Sequence, residues 1–285
     1  MIILDFNQII ISGIIEYNSL DNSKEYYVDE DFVRHLILNY VKYYIRRFKY
    51  KFGPTVVLAS DNRHYWRKDL FPYYKAGRKK IRNDSNINWE SLFEYMKIIK
   101  AEMTEYFPHR VLEVDKCEAD DVIFVLVNEF AINEKIVIVS SDKDFGQLHR
   151  YKNVKQFSPM KRDFIRVDSP NLHLKELIIR GDKSDGIPNI LSPDDTFVSG
   201  GRQKPIMKVK LEKWLTLKPE EFCDENMLRN YNRNSSLIDL SKIPHTYYNN
   251  IVESFDKYNM NSKEKFYNYL LKNNLRKIIL EIGDF

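Results

Sequence analysis

Ile136-Val137-Ile138-Val139-Ser140-Ser141-Asp142-Lys143-Asp144 sets four β-branched apolar residues against two serines and then two acids one position apart. So short and abruptly bounded an apolar run reads as a strand buried on both faces of a parallel sheet, because a core helix needs ten or more residues. The acids then fall at the strand's carboxyl end, where open α/β sheets place their ligands. The same arrangement recurs three times. Residues 2–4 run into Asp5, residues 56–59 into Ser60-Asp61, and residues 111–114 into a turn that reaches Glu118-Ala119-Asp120-Asp121 at the head of an apolar helix.

Between these strands the apolar residues change period. Phe32, Leu36, Tyr40, Tyr44 and Phe48 recur every four positions, and Leu92, Met96 and Met103 follow a looser helical spacing with Asn88 placed to cap. Alternating strands and helices predict an α/β fold: a central, twisted, parallel-type sheet with helices on both faces. Past residue 185 the pattern is helical only. The expected organisation is an α/β domain over residues 1–185, with a basic segment at about 62–88, and a helical region over 186–285. No internal repeat or low-complexity linker separates them.

Asp182 and Asp185 in Gly181-Asp182-Lys183-Ser184-Asp185-Gly186 complete a set of nine acids with Asp5, Asp61, Glu118, Asp120, Asp121, Asp142 and Asp144. For any one of them helix capping is an even alternative. Capping needs a single carboxylate per helix, however, and does not explain pairs and triplets. Crowded carboxylates repel unless protonated or bridged by cations, and all-oxygen sites select hard divalent ions such as Mg²⁺ or Mn²⁺ over zinc. Setting these nine aside leaves 32 acids against 45 basic residues, a remainder of +13. A cationic body around an acidic pocket suits a polyanion, and a pair of divalent ions suits in-line phosphoryl displacement.

Arg63, Arg67, Lys68, Lys75, Arg78, Lys79, Lys80 and Arg82 crowd the segment after Asp61, interleaved with Tyr65, Trp66, Phe71, Tyr73 and Tyr74. A solvated amphipathic helix with core aromatics is the plain reading of an average charge run. Its position beside the acids favours contact with nucleic acid instead, through phosphate neutralisation and stacking on unpaired bases. Arg202, Lys204, Lys208 and Lys210 form a second basic stretch beside Ser199-Gly200-Gly201, and Lys42, Arg46, Arg47, Lys49 and Lys51 a third on the first long helix.

The longest apolar stretch, residues 9–15, is broken by Ser12 and Gly13 and falls short of the roughly 20 residues of a membrane span. The N-terminus lacks the basic start of a signal peptide, and Cys117 and Cys223 make neither a disulfide framework nor a zinc cluster, so a cytoplasmic setting is expected. No serine–histidine or cysteine–histidine pattern suggests a nucleophile. His109 and His149 read as surface or helix-end residues, and Cys117 as a small apolar one.

The ordered acidic motifs resemble those of the flap-endonuclease (5′-nuclease) family, as does Tyr65-Trp66-Arg67-Lys68-Asp69 through Tyr73-Tyr74-Lys75-Ala76-Gly77-Arg78, which is similar to that family's arch. Residues 32–39 and 154–160 extend the likeness to its phage members. The resemblance implies a structure-specific 5′-to-3′ exonuclease and flap endonuclease that removes RNA primers and adjacent DNA from lagging-strand fragments. It implies a first metal site of Asp5, Asp61, Asp121 and Asp142, with Glu118 and Asp120 alongside, and a second of Asp144, Asp182 and Asp185. Lys75 and Arg78 would meet the scissile phosphate with Arg67 nearby, Tyr74 would stack on a base, and Lys79, Lys80, Arg82, Arg202, Lys204, Lys208 and Lys210 would bind nucleic acid. Two Mg²⁺ ions, replaceable by Mn²⁺, are the implied cofactors. The implied partners of a monomer are DNA and RNA·DNA duplexes with 5′ ends, flaps or nicks, with single-strand-binding protein and sliding clamp as further candidates. If the chain is phage-encoded, its location is the host cytoplasm. Gly186 stands where many members carry an asparagine before a potassium-binding helix–hairpin–helix. The competing readings are a PIN-type endoribonuclease acting on single-stranded RNA and an inert structure-specific DNA-binding protein.

Overall fold

The computed structural model describes residues 1–20, 29–78, 82 and 87–285. Its centre is a sheet of β1 (Ile2–Asp5), β2 (Val56–Ala59), β3 (Arg110–Leu112), β4 (Ile136–Val139), β5 (Val154–Ser158) and β6 (Asp163–Ile165). The order is β3-β2-β1-β4-β5-β6, parallel except for β6, which pairs antiparallel at the edge. In register, Leu4 lies between Leu58 and Val139. Chain order reverses between β1 and β4, and a crevice opens at the carboxyl ends where the sheet switches direction.

The four expected strands are present, the third ending at Leu112 because Glu113 turns out to solvent. β5 and β6 were not expected. Lys155, Gln156 and Ser158 break the apolar run of β5, and β6 is three residues long.

Strand residues alternate between two cores. Ile2, Leu4, Val56 and Leu58 face α1 (Phe6–Leu20), α2 (Glu30–Phe52) and α4 (Trp89–Tyr106), while Ile3, Val57 and Ala59 face α5 (Ala119–Phe130). Burial on both faces is why the strands read as unbroken apolar runs. Asn88 caps α4 as expected, accepting from the Ser91 amide at 3.1 Å. α3 (Trp66–Leu70) follows β2 directly.

The remaining helices are α6 (Pro170–Arg180), α7 (Lys208–Thr216), α8 (Pro219–Phe222), α9 (Glu225–Ile238), α10 (His245–Asp256), α11 (Lys263–Lys272) and α12 (Arg276–Ile279). Two small cores join α6 to α9 and α7. The last helices return to the sheet: Ile251 and Phe255 pack in the α5 core, and Phe266, Leu270 and Ile278 in the α2 core. Among the described residues no helix is long and apolar enough to cross a membrane.

Candidate active site

A cleft of about 2110 Å³ opens at the carboxyl ends of β1, β2 and β4. Asp5, Asp61, Asp120 and Asp142 line it, and Lys75, Arg78 and Arg82 reach it from the other side.

Capping and clustering turn out to be compatible. Asp5 accepts from the Gln8 amide at 3.1 Å, Asp61 from the Ala119 amide at 2.8 Å, and Asp142 from the Asp144 amide at 2.9 Å. Each also presents carboxylate oxygen to its neighbours. Ser140 Oγ donates to Asp5 at 2.9 Å and Asn7 Nδ2 to Asp61 at 2.7 Å. Burial, followed by the charge of Asp61, pushes the Asp5 carboxyl up to about 7. Burial and Asp142 hold Asp120 well above the usual carboxylate range, and burial with Asp142 and Asp182 does the same for Asp144. Asp142 is raised as well, mainly by burial.

The other acids carry basic partners. Glu118 is fully buried, with Arg67 Nη1 at 2.9 Å, the Tyr74 hydroxyl at 3.0 Å and Lys75 Nζ in direct contact. Burial works to raise Glu118, but Lys75 and Arg67 outweigh it and hold it low. Asp185 receives Arg78 Nη2 at 2.6 Å and the Tyr74 hydroxyl at 3.1 Å, with Lys75 Nζ 3.8 Å away. It too is held low, by Lys75 and Arg78 against its burial. Asp182 meets Lys143 Nζ at 3.0 Å on one oxygen and the Ser184 amide and hydroxyl on the other.

Three of the sequence assignments take a different place. Asp121 is fully buried, its carboxylate enclosed by the Trp66 indole at 3.1 Å, Arg67 at 2.9 Å and the Glu118 amide at 2.9 Å. Arg67 is 1% exposed and also donates to the Leu237 carbonyl, so it holds α3, α5 and α9 together rather than facing the cleft. Tyr74 is 2% exposed with its hydroxyl between Glu118 and Asp185, so its ring is not available to stack on a base. Invariably acidic and aromatic motifs do not reveal in sequence which members point inward.

Lys79 and Lys80 lie outside the described residues. Arg82 sits 4.6 Å from the Phe93 ring at the cleft wall. Arg202, Lys204, Lys208 and Lys210 are exposed, far along the helical region, with Met207 and Val209 exposed beside them. The cluster on α2 is met by C-terminal acids: Lys42 pairs with Glu281, and Arg46 and Lys49 with Asp284 at 3.6 and 4.0 Å.

Sequence reading missed Gln156. It is fully buried on β5, and its Nε2 donates to the Asp142 carbonyl at 2.6 Å and the Ser140 carbonyl at 3.0 Å, fixing the loop that carries Asp142. Its side chain lies beside His149, whose Nδ1 accepts from the Val167 amide. His149 is thus a helix-end residue, in the last turn of the Lys143–Arg150 helix, and half-buried. Val154 and Phe157 were the available signal for the strand, and Lys155 and Ser158 beside them weaken it.

The residues present fit hard divalent cations. The donor set is all oxygen, and among the described residues the strand-edge acids have no basic partner within salt-bridge distance and Asp144 Oδ1 is buried without a hydrogen-bond donor. As the side chains stand, no three metal-ligating groups among the described residues are gathered tightly enough to close on one ion, and basic side chains already engage Asp182 and Asp185.

A mostly parallel sheet with acids at its switch point and cations facing them suits a class of proteins acting on phosphate esters. Comparison with known proteins is specific: the chain belongs to the 5′-3′ exonuclease family, matching its N-terminal resolvase-like domain over residues 18–175 and the T4 RNase H C-terminal domain over residues 168–285. It is accordingly a nuclease, a phosphodiester hydrolase. It is 35% identical to the ribonuclease H of Enterobacteria phage T4, over 99% of this chain and 95% of that protein. It is 33% identical to the flap endonuclease Xni of Shewanella pealeana over 44% of this chain and 48% of that one. The fold is shared with a bacteriophage T5 5′-exonuclease solved with divalent zinc ions (TM-score 0.60, 16% identity, 90% of this chain and 98% of that chain). It is also shared with a T5 flap endonuclease in a pseudo-enzyme–product complex with DNA and metal ions (TM-score 0.58, 18% identity, 100% and 99%).

Proposed function

We propose that this nuclease is a divalent-metal-dependent 5′-to-3′ exonuclease and flap endonuclease that removes RNA primers and adjoining DNA from lagging-strand fragments, leaving 5′-phosphate and 3′-hydroxyl ends. The observation that carries the proposal is the meeting, in one cleft, of Asp5, Asp120 and Asp142, which have no basic partner among the described residues, with Lys75 and Arg78. The T5 relatives crystallised with metal ions and DNA, and the flap endonuclease and ribonuclease H names of the curated relatives, support the same reading.

Asp5, Asp61, Asp120 and Asp142, with Asp144, Asp182 and Asp185 behind them, would hold two Mg²⁺ ions, with Mn²⁺ able to substitute. When bound, such ions activate water and neutralise charge on a leaving oxygen. Lys75 and Arg78 bind the non-bridging phosphoryl oxygens and stabilise charge that builds there, exchanging one set of anionic partners for another. Ser140 and Asn7 orient the Asp5 and Asp61 carboxylates, and Gln156 orients the Asp142 loop. Arg82 lines the approach, Lys79 and Lys80 add positive charge to the same stretch of sequence, and Arg202, Lys204, Lys208 and Lys210 grip duplex phosphate at a distance. Glu118 and Asp121 act by fixing Lys75 and Arg67. The working unit is a monomer in the host cytoplasm, in which residues 1–185 cleave and residues 186–285 bind DNA. Single-strand-binding protein and sliding clamp are partners to be sought on the C-terminal helices.

Digestion of end-labelled flap, nicked, RNA·DNA hybrid and single-stranded RNA substrates, with Mg²⁺ and with chelator, tests this. Mg²⁺-dependent release of short products from the 5′ end of flap and hybrid substrates is expected. Preferential cutting of single-stranded RNA would favour a PIN-type activity, and structure-specific binding without cleavage would make the chain an inert binder.

A further inference from the structure

The two halves of the acidic site are neutralised differently. Among the described residues Asp5, Asp61, Asp120 and Asp142 have no basic group within 4 Å, so an arriving cation meets carboxylates that no ammonium or guanidinium neutralises. At Asp182 and Asp185 every oxygen is already engaged, by Lys143, Ser184, Arg78 and Tyr74. Nine carboxylates in all face four basic groups, Arg67, Lys75, Arg78 and Lys143, leaving five negative charges if all are ionised. A pair of divalent ions supplies four.

Three of the four basic groups have other work. Arg67 is locked in the interior, and Lys75 and Arg78 have a phosphate to bind. Lys143 differs. It sits between Asp142 and Asp144 on the turn Lys143–Arg150, its side chain is 49% exposed, and the Asp182 carboxylate is its salt-bridge partner. Half of the side chain is open to water, and rotation about its stem carries the ammonium into solvent.

We propose that Lys143 is a built-in competitor for the second divalent ion: its ammonium holds the Asp182 oxygen that the ion needs, and must swing away before that ion binds. The inference rests on the two-ion reading above and adds the regulation of one of its halves. The consequence is sequential filling. The strand-edge half takes its ion in the free protein, whereas the Asp182 half fills only at higher ion concentration, or once a bound phosphate has drawn Lys75 and Arg78 off Asp185 and left that end more negative.

The test counts ions rather than cleavage. Mn²⁺ is titrated into the substrate-free full chain and free Mn²⁺ is read by electron paramagnetic resonance, for wild type, Lys143→Met, Lys143→Gln and the double variant Lys143→Met/Asp182→Asn. Wild type should bind one ion tightly and a second weakly. Lys143→Met and Lys143→Gln should both tighten the second on the order of tenfold, the scale of one unit charge a few ångströms from a divalent ion in a high-dielectric surface setting. The double variant should lose that gain. General damage to the site can only weaken binding, so the sign separates the explanations. Two ions bound with unchanged or weaker second affinity in both Lys143 variants would overturn the competitor role and leave the two-ion reading standing. Failure of wild type to bind any Mn²⁺ would overturn both.

Discussion

Arg67 Nη2 and Asp121 Oδ1 face each other 2.9 Å apart in the interior, with Arg67 1% exposed and Asp121 not at all. The pair ties the first residues after β2 to the helix that follows β3, and Arg67 continues to the Leu237 carbonyl at the end of α9. Removing one member of a buried, hydrogen-bonded ion pair strands the other's charge, at a cost of about 3–5 kcal/mol. Arg67→Ala and Asp121→Asn should each lower the thermal midpoint sharply. An unchanged melting curve with lost cleavage would instead place them at the chemistry.

Asp142→Asn should do the reverse. Asp142 crowds Asp120 and Asp144, so removing its charge relieves repulsion in the metal-free protein. Cleavage of flap substrate should fall by about three orders of magnitude or more if Asp142 holds an ion, while DNA affinity is retained and the metal-free melting temperature does not drop. Retained Mg²⁺-dependent turnover would remove Asp142 from the ligand set.

The pH dependence follows from Asp5. Its carboxyl, at about 7 in the folded chain, lies above the ordinary aspartate value, so the fold favours the protonated form. That stabilisation is complete below about pH 4 and is lost as pH rises through 7, and Asp120, Asp142 and Asp144 are shifted the same way. Burial pushes His109 down to about 4, which acts in the opposite sense over the same window, so the melting temperature alone mixes the two. The Mg²⁺-induced rise in melting temperature isolates the acids. It should be larger near pH 8 than near pH 5.5, and equal increments would contradict a carboxylate ion site.

Gln156→Leu keeps the volume of the side chain and removes its bonds to the Asp142 and Ser140 carbonyls. The loop loses its tether, so the half-saturating Mg²⁺ concentration should rise about tenfold, the usual effect of losing a group that orients a metal ligand, with DNA affinity unchanged. His149→Ala should shift it less. A loss confined to DNA binding would rule out a positioning role.

Lys208→Glu and Lys210→Glu act on exposed residues remote from the acids. Each should weaken duplex binding several-fold, and together they should flatten the dependence of affinity on salt by about two units of log–log slope. Turnover at saturating substrate should stay near wild type. A salt slope identical to wild type would remove these lysines from the interface.

Much of this was legible before any coordinates. Strands rich in Ile and Val carry their assignment in four residues because both faces are buried, and the acid after each is fixed by chain direction. What escaped was orientation within a motif. Asp120 and Asp121 are adjacent in sequence, but a helix turns successive residues by about 100°, so one faces the cleft and the other enters the core. Arg67, on a short helix, and Tyr74, in the turn after it, likewise face the interior without a sign of it in their motif. β5 and Gln156 were missed because the polar residue that makes the strand useful also breaks its apolar signature.

Gly186, at φ +72°, brings the chain so near the Tyr73 carbonyl that a β-carbon there would lie 2.8 Å from it, and the next link is the Lys75 amide donating to the Asp185 carbonyl at 2.7 Å. Lys75 itself sits at φ +57°. The root of the basic segment and the start of the helical region are thus stitched backbone to backbone, without a side chain as intermediary. A displacement of either side of that seam is therefore shared by the other through main-chain atoms, which makes the turn at Gly186 and the backbone of Lys75 one mechanical unit.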